Sequence, residues 1–249
     1  MDEELFSDRF QLIFSAAFPE YASSETERKF FCLTRMLLTA NREMNLTAVT
    51  GMEEILIKHY ADCAFLAQML PQNVSLLDVG AGAGFPSLPL AILRPDAVVT
   101  ALDSTEKRMR FVAQTARELG LDRVKTVTGR AEDLGCSPDF REQYDCVTAR
   151  AVAQLNLLCE LCLPLCRVGG TFFALKGAEG ETETEQAQFA INCLGGRIKE
   201  IRKFVLPDPD GILAPDARLR CIVSVEKKEG TPAEYPRRYA RMRAHPLGQ

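Results

Sequence analysis

The stretch Leu76–Leu90, LLDVGAGAGFPSLPL, places Gly80, Gly82 and Gly84 directly after an apolar run and ahead of a helical one. Glycine at such a bend can adopt left-handed dihedrals and removes side chains that would hold a ligand off the backbone. At the carboxyl end of the first strand of an open α/β sheet, that is where a nucleotide-like molecule binds. Dinucleotide sites prefer the spacing Gly-x-Gly-x-x-Gly, which Phe85 breaks. Asp78, two residues before Gly80, discriminates further. A carboxylate there offers a pyrophosphate nothing favourable, but it can meet a cationic amino group directly or through water. The acid-led loop Asp78–Phe85 is therefore read as a site for the methionine portion of S-adenosylmethionine, with S-adenosylhomocysteine as the product.

Asp103 ends the next strand-like run, twenty-three residues after Gly80. It can accept both ribose hydroxyls, the preferred reading, or cap a helix beginning near Ser104 or Thr105. Ala131 and Glu132, in TGRAEDL, fall where an adenine would lie. The Ala131 amide could address a ring nitrogen and Glu132 or Asp133 the exocyclic amine, although the segment also reads as an ordinary surface loop.

Arg150 and Lys176 end the fourth and fifth apolar runs, in VTAR and FFALKG. Either cation could mark only the place where water begins. Together they line a cleft suited to an anionic partner, Arg150 adjoining the cofactor as well, and an arginine can also stack on a base. The polar-proline-aromatic motif of many amino-group methylases is absent, since Ala149-Arg150-Ala151-Val152 stands there. Cys159, Cys162 and Cys166 superficially suggest a cluster site, but their spacing on a leucine-rich helix favours core packing. His59, with Asp62 three residues later, is expected as a half-buried residue that stabilises the helical extension through a hydrogen bond. With His245 the only other histidine, no metal site is expected. Near the C-terminus, Arg237, Arg238, Arg241 and Arg243 alternate with Tyr235 and Tyr239, a mixture that pairs with phosphates and stacks on bases or forms an unstructured basic end.

These residues need a scaffold. Helical spacing of Phe30, Leu33, Leu37 and Leu38, and again of Ile55, Leu56, His59, Cys63 and Leu66, predicts a helical extension over residues 1–73. From there the chain alternates strands (Ser75–Val79, Val98–Leu102, Val124–Val127, Tyr144–Thr148, Thr171–Leu175) with amphipathic helices, one striped by Met109, Val112, Ala116 and Leu119 and capped by Gly120. A second helix is expected over Gln154–Leu163. The alternation predicts a mostly parallel sheet with helices on both faces. The late runs Ile198–Leu206 and Cys221–Val225 should extend its edge as an antiparallel pair, because the connection between them is too short for a crossover helix. The catalytic core is placed at residues 74–228 and a basic tail at 229–249.

The net charge of −4 argues weakly against a nucleic-acid binder, but the average hides a gradient. Residues 227–249 hold six Lys or Arg against two Glu, a net of +4, which leaves −8 on the preceding 226 residues. Nine cysteines, an odd number set mostly in apolar runs, read as reduced core residues. Without an apolar window of membrane-spanning length, and with an acidic opening, the chain is expected to be a cytoplasmic monomer with no membrane partner.

The motifs, taken in order, resemble one family. NREMNLTAV at 41–49, IKHYADC at 57–63, DVGAGAGFPSLPLAI at 78–92, LDSTEKRMRF at 102–111, GRAED at 129–133, TARAVA at 148–153 and ALKG at 174–177 are similar to those of the ribosomal RNA small subunit methyltransferase G family, also called glucose-inhibited division protein B. The resemblance covers nearly all of the chain. It implies a Rossmann-like class I fold with a seven-stranded, mostly parallel sheet, and methyl transfer from S-adenosylmethionine to guanine N7 in the 530 loop of 16S ribosomal RNA (guanine 527 in that family). The partner is expected to be 16S RNA in the small subunit or an assembly particle. Gly80, Gly82, Gly84 and Asp103 would serve the cofactor, Ala131 and Glu132 the adenine, and Arg150, Lys176 and Arg220 the RNA side. The stretch YARMRAH at 239–245 departs from the family's usual tail. A methyltransferase for another RNA base or a small metabolite, and a non-catalytic ribosome-associated protein, are the alternatives.

Overall fold

The computed structural model describes residues 2–150 and 152–248; Ala151, inside the TARAVA motif, lies outside the described residues. Two long helices open the chain. Helix α1 (Glu3–Ala17) starts where the Asp2 carboxylate accepts the Glu4 and Leu5 N–H groups. Helix α2 (Ser24–Met44) starts where Ser23 accepts from Thr26 N and stops at Asn45, which is left-handed at φ 48°. Next come α3 (Met52–Ile55), a π-helical turn (Leu56–Ala61) and α4 (Asp62–Ala67) in one continuous run. Phe6, Phe10, Phe14 and Phe30 are buried, each contributing about 1.5–3 kcal/mol of apolar burial.

The sheet contains β1 (Ser75–Val79), β2 (Val98–Asp103), β3 (Val124–Thr128), β4 (Tyr144–Arg150), β5 (Cys166–Lys176), β6 (Gly196–Val205) and β7 (Leu219–Lys227). Its order is β3-β2-β1-β4-β5-β7-β6. The first five strands run parallel, and β7 lies antiparallel between β5 and β6, as expected for the two late runs. Strand β5 begins earlier than its apolar content predicts. Tyr144 faces Cys166 but Cys146 faces Thr171, so Gly169 and Gly170 occupy a bulge. Gly169 has φ +83°, and a Cβ on Gly170 would come within 2.6 Å of the Asp145 carbonyl oxygen.

Helices α5 (Ser87–Leu93) and α6 (Glu106–Glu118) cover one face of the sheet together with the N-terminal extension; α7 (Ala131–Leu134), α8 (Leu155–Cys162), α9 (Gly180–Cys193) and α11 (Tyr239–Ala244) cover the other, while the short α10 (Pro215–Arg218) precedes β7. Alternation along β1 divides the two cores, with Leu76 on the first side and Leu77 and Val79 on the second. Cys159, Cys162 and Cys166 lie in the second core, where burial raises all three thiols, Cys166 to about 12. The C-terminal segment is packed, not an unstructured end, because Met242 and Leu247 are buried in that same core. Among the described residues, no helix is long and apolar enough to cross a membrane.

Candidate active site

Strand β1 gives way to a loop whose backbone is held by β2: Gly80 N and Ala81 N both donate to the Leu102 carbonyl, at 2.8 and 2.9 Å. All three glycines have positive φ, but they serve different needs. A Cβ on Gly82 would find nothing nearer than 3.9 Å, so its face is open to a ligand. A Cβ on Gly84 would meet Leu88 at 2.6 Å, and one on Gly80 would meet Val152 at 2.7 Å. Gly84 thus lets α5 pack closely against the loop.

Beside the loop is a cavity of about 280 Å³ bordered by Gly80, Asp103, Arg108, Ala131, Glu132 and Arg150, with Leu161 and Tyr239 behind them. Asp103 borders the cavity and is fixed there by two backbone donors. Its Oδ1 accepts from Thr105 N (2.8 Å) at the start of α6, and its Oδ2 accepts from Gly82 N (3.1 Å), bracing the loop. An ionised carboxylate has about four acceptor sites, so hydroxyl donors can still be taken. Glu132 is partly buried at the cavity while Asp133 is exposed, which selects Glu132 of the two acids.

Two expected cofactor residues are placed differently. Asp78 does not border the cavity. It is fully buried beneath the loop, its Oδ2 accepting from Ser87 N and the Ser87 hydroxyl. Its Oδ1 has no partner among the described residues, and burial pushes its carboxyl up to about 6 against the Ser87 hydrogen bonds. A direct meeting with an amino group is therefore not made; Asp78 ties the loop to α5. Phe85 also faces away, its ring 4.6 Å from that of His59 and 6.2 Å from that of Tyr60, with the Arg150 guanidinium 5.4 Å from its centroid.

A second cavity, of about 700 Å³, adjoins the first and is bordered by His59, Asp62, Arg150, Lys176, Glu183 and Arg220. Arg150 and Val152 border both cavities. The expectation that Arg150 and Lys176 share one cleft therefore agrees with the geometry, and Arg220 borders it too, but their charges are unequally free. Lys176 Nζ donates to Glu183 Oε2 (2.6 Å) and the Ala153 carbonyl (2.7 Å), so it clamps β5 to α9 instead of offering an unpaired cation. Asp62, buried, lies 3.4 Å from Arg150 Nη1 and 4.0 Å from Arg220 Nε. Burial raises its carboxyl, and the two arginines oppose that rise.

Arg150 is held on several sides. Nη1 donates to the Lys58 carbonyl (3.2 Å) and Asp62 Oδ2, and Nη2 lies 3.3 Å from His59 Nδ1. Guanidinium only donates, so Nδ1 accepts and the imidazole proton sits on Nε2, which donates to Thr47 Oγ1 at 3.2 Å. His59 therefore bonds Thr47 and Arg150, not Asp62. Burial and the Arg150 charge lower its pKa to about 3. Thr47 is fixed in turn by Asn41, which donates to its carbonyl (3.0 Å) and accepts from its N–H (2.9 Å). Reasoning on residue types misses this chain, because Asn41 and Thr47 act through a loop conformation; the NREMNLTAV resemblance was their only signal.

The tail arginines also separate. Arg237 is spent on buried Glu160, with Nε–Oε1 2.7 Å, Nη2–Oε2 2.6 Å and Arg237 N–Oε1 2.9 Å. Arg238, Arg241 and Arg243 are exposed. Tyr239, read from sequence as a base-stacking residue, borders the first cavity. A larger depression of about 990 Å³ surrounds Arg94, whose guanidinium is occupied by the Ala67, Leu70 and Pro71 carbonyls and by Asp96, a structural arrangement.

Comparison with known proteins adds three findings. The family model described as rRNA small subunit methyltransferase G matches residues 26–210. Proteins named Ribosomal RNA small subunit methyltransferase G are similar throughout: that of Lactobacillus delbrueckii subsp. bulgaricus is 43% identical over 225 residues, covering 89% of this chain and 91% of the relative. That of Acetivibrio thermocellus is 40% identical over 249 residues, covering 99% and 100%. Among solved structures, the crystal structure of M. jannaschii TYW2 in complex with AdoMet aligns at TM-score 0.53 and 14% identity, covering 67% of this chain and 74% of that one, a likeness of fold.

Proposed function

The chain belongs to the rRNA small subunit methyltransferase G family, and from that premise we propose that it methylates N7 of a guanine in the 530 loop of 16S ribosomal RNA. It is an S-adenosylmethionine-dependent rRNA methyltransferase. The observation that carries the finer reading is that two cavities meet at Arg150. The first fits the cofactor: the glycine bend at Gly80, a ribose acceptor in Asp103, and Ala131 with Glu132 for the adenine. The second takes the base.

S-adenosylmethionine supplies an electrophilic methyl group on a sulfonium. Guanine N7 carries an in-plane lone pair, so no residue needs to remove a proton. His59, held neutral and bonded at both nitrogens, fits that absence of a base. Three of the five Arg150 N–H donors go to Lys58, Asp62 and His59. The remaining two are read as addressing guanine O6, beside N7, which orients the base and leaves the N7 lone pair free. The protein is read as a monomer and its substrate as 16S RNA in the small subunit or an assembly particle, because a net charge of −4 gives no general attraction for RNA and a shaped RNA surface must supply the rest of the recognition.

Transfer of labelled methyl groups to isolated small-subunit particles and to naked 16S RNA, with mapping of the modified base, tests the reading. Arg150→Lys should keep cofactor binding and lose roughly 100-fold in single-turnover transfer. A variant that lost cofactor affinity but methylated at the parental rate would remove Arg150 from the RNA side.

A further inference from the structure

Tyr239 is the observation the mechanism does not use. It lies on α11, beyond the catalytic sheet, yet it borders the cofactor cavity together with Ala131, Glu132 and Leu161. We propose that the C-terminal segment is a structural part of the cofactor site, with the Tyr239 ring forming the wall against which the adenine packs. The inference rests on the reading of that cavity as the cofactor site and goes beyond it by assigning a cofactor-binding role to the tail.

The segment is anchored well enough for this role. Lys227, fully buried, donates to the Leu163 carbonyl (2.8 Å) and to Thr231. Arg141 donates through Nη2 to the Thr231 carbonyl (2.6 Å) and through Nη1 to the carbonyls of Tyr235 and Gly135, each at 2.8 Å. That last pair ties the tail to the end of α7, the helix that carries Ala131 and Glu132. A Cβ on Gly135 would approach Pro236 to 2.8 Å, so glycine there allows the tail to lie against α7. Beyond Arg237 and Glu160, buried Met242 places its helix neighbour Tyr239, three residues earlier, on the inward side. Tyr239 is half-buried, as a wall residue should be, and Arg238, Arg241 and Arg243 are left exposed.

Aromatic stacking is the interaction this geometry offers. A planar, electron-rich ring beside a purine gains by offset stacking, with no dependence on hydrogen-bond register.

The chain contains no tryptophan, so Tyr239→Trp introduces a single indole into the full-length protein. Titration with S-adenosylhomocysteine should change its emission saturably, with a midpoint matching the calorimetric Kd. Tyr239→Leu, which keeps apolar bulk without a ring, should weaken S-adenosylhomocysteine binding and raise the KM for S-adenosylmethionine about tenfold, while the KM for RNA stays within about threefold. Circular dichroism melts on both variants establish that each is folded. Parental S-adenosylhomocysteine affinity in Tyr239→Leu, or a silent indole while calorimetry shows binding, would overturn the proposal. Asp103→Asn separates the two levels: if it loses binding while the Tyr239 variants do not, only the tail assignment fails. If it binds at parental strength, the cavity reading fails and takes this one with it.

Discussion

Burial and the Arg150 guanidinium hold the His59 imidazole near a pKa of about 3, far below its ordinary value. An unfolded histidine takes up its proton near 6.5, so between about 3 and 6.5 the unfolded chain binds a proton that the folded chain refuses. His59 therefore removes stability as pH falls through that window, by about 1.4 kcal/mol per unit. Asp78, raised to about 6, acts with the opposite sign. Its folded state binds the extra proton between about 3.8 and 6, so stability from this group rises as pH falls there and is lost again above 6. The two slopes offset each other in the parent chain, and replacing one exposes the other. His59→Gln should be less stable than the parent at about pH 7.5, through weakened packing, and should recover about 2 kcal/mol relative to it at about pH 5. Denaturant midpoints of both proteins at the two pH values measure this; a pH-independent gap would mean that His59 is not the neutral acceptor of Arg150.

The helices and turns act by delivering groups that no single segment could hold. The π-helical turn 56–61 and the start of α4 bring the Lys58 carbonyl, the His59 ring and the Asp62 carboxylate to one guanidinium. π-turns are frequent at functional sites because the wider turn re-aims side chains. Phe30 and Tyr60 stack 4.2 Å apart, and Tyr60 leads to Phe85, so the helical extension supports the same arginine from behind. Among the contacts that dock the C-terminal helix, the pair of buried Glu160 with Arg237 lies nearest its start. Breaking a buried pair costs about 3–5 kcal/mol because one charge is left without its partner. In Glu160→Gln, trypsin should therefore cut at Arg238, Arg241 and Arg243 at least tenfold faster than in the parent, before the core is attacked. Equal release of C-terminal peptides from both proteins would show that this pair does not dock the tail.

A net charge of −4 leaves the molecule without a general attraction for RNA, so electrostatic binding must come from a local patch. Arg130 at the cavity mouth and Arg238, Arg241 and Arg243 on the exposed side of the tail form the candidate patch. Removing one phosphate-pairing cation should lower the slope of log affinity against log salt by about 0.7–0.9. Arg241→Gln should do so for any RNA sequence, as measured by binding at several salt concentrations, and an unchanged slope would place the RNA elsewhere. Much of this molecule was legible from its residues. Strand and helix periods, the glycine bend, Asp103 and the charged ends of β4 and β5 are local patterns, and the parallel order with an antiparallel final pair follows from connection lengths. The division of labour among like residues was not. Gly82 has an open face while Gly84 meets Leu88, Arg237 is paired while Arg238 is exposed, and Lys176 is neutralised by Glu183 while Arg150 keeps two donors. Residue type and spacing determine what a side chain can do, but which partner it meets depends on groups brought together from distant parts of the chain, and only the packed structure chooses among them.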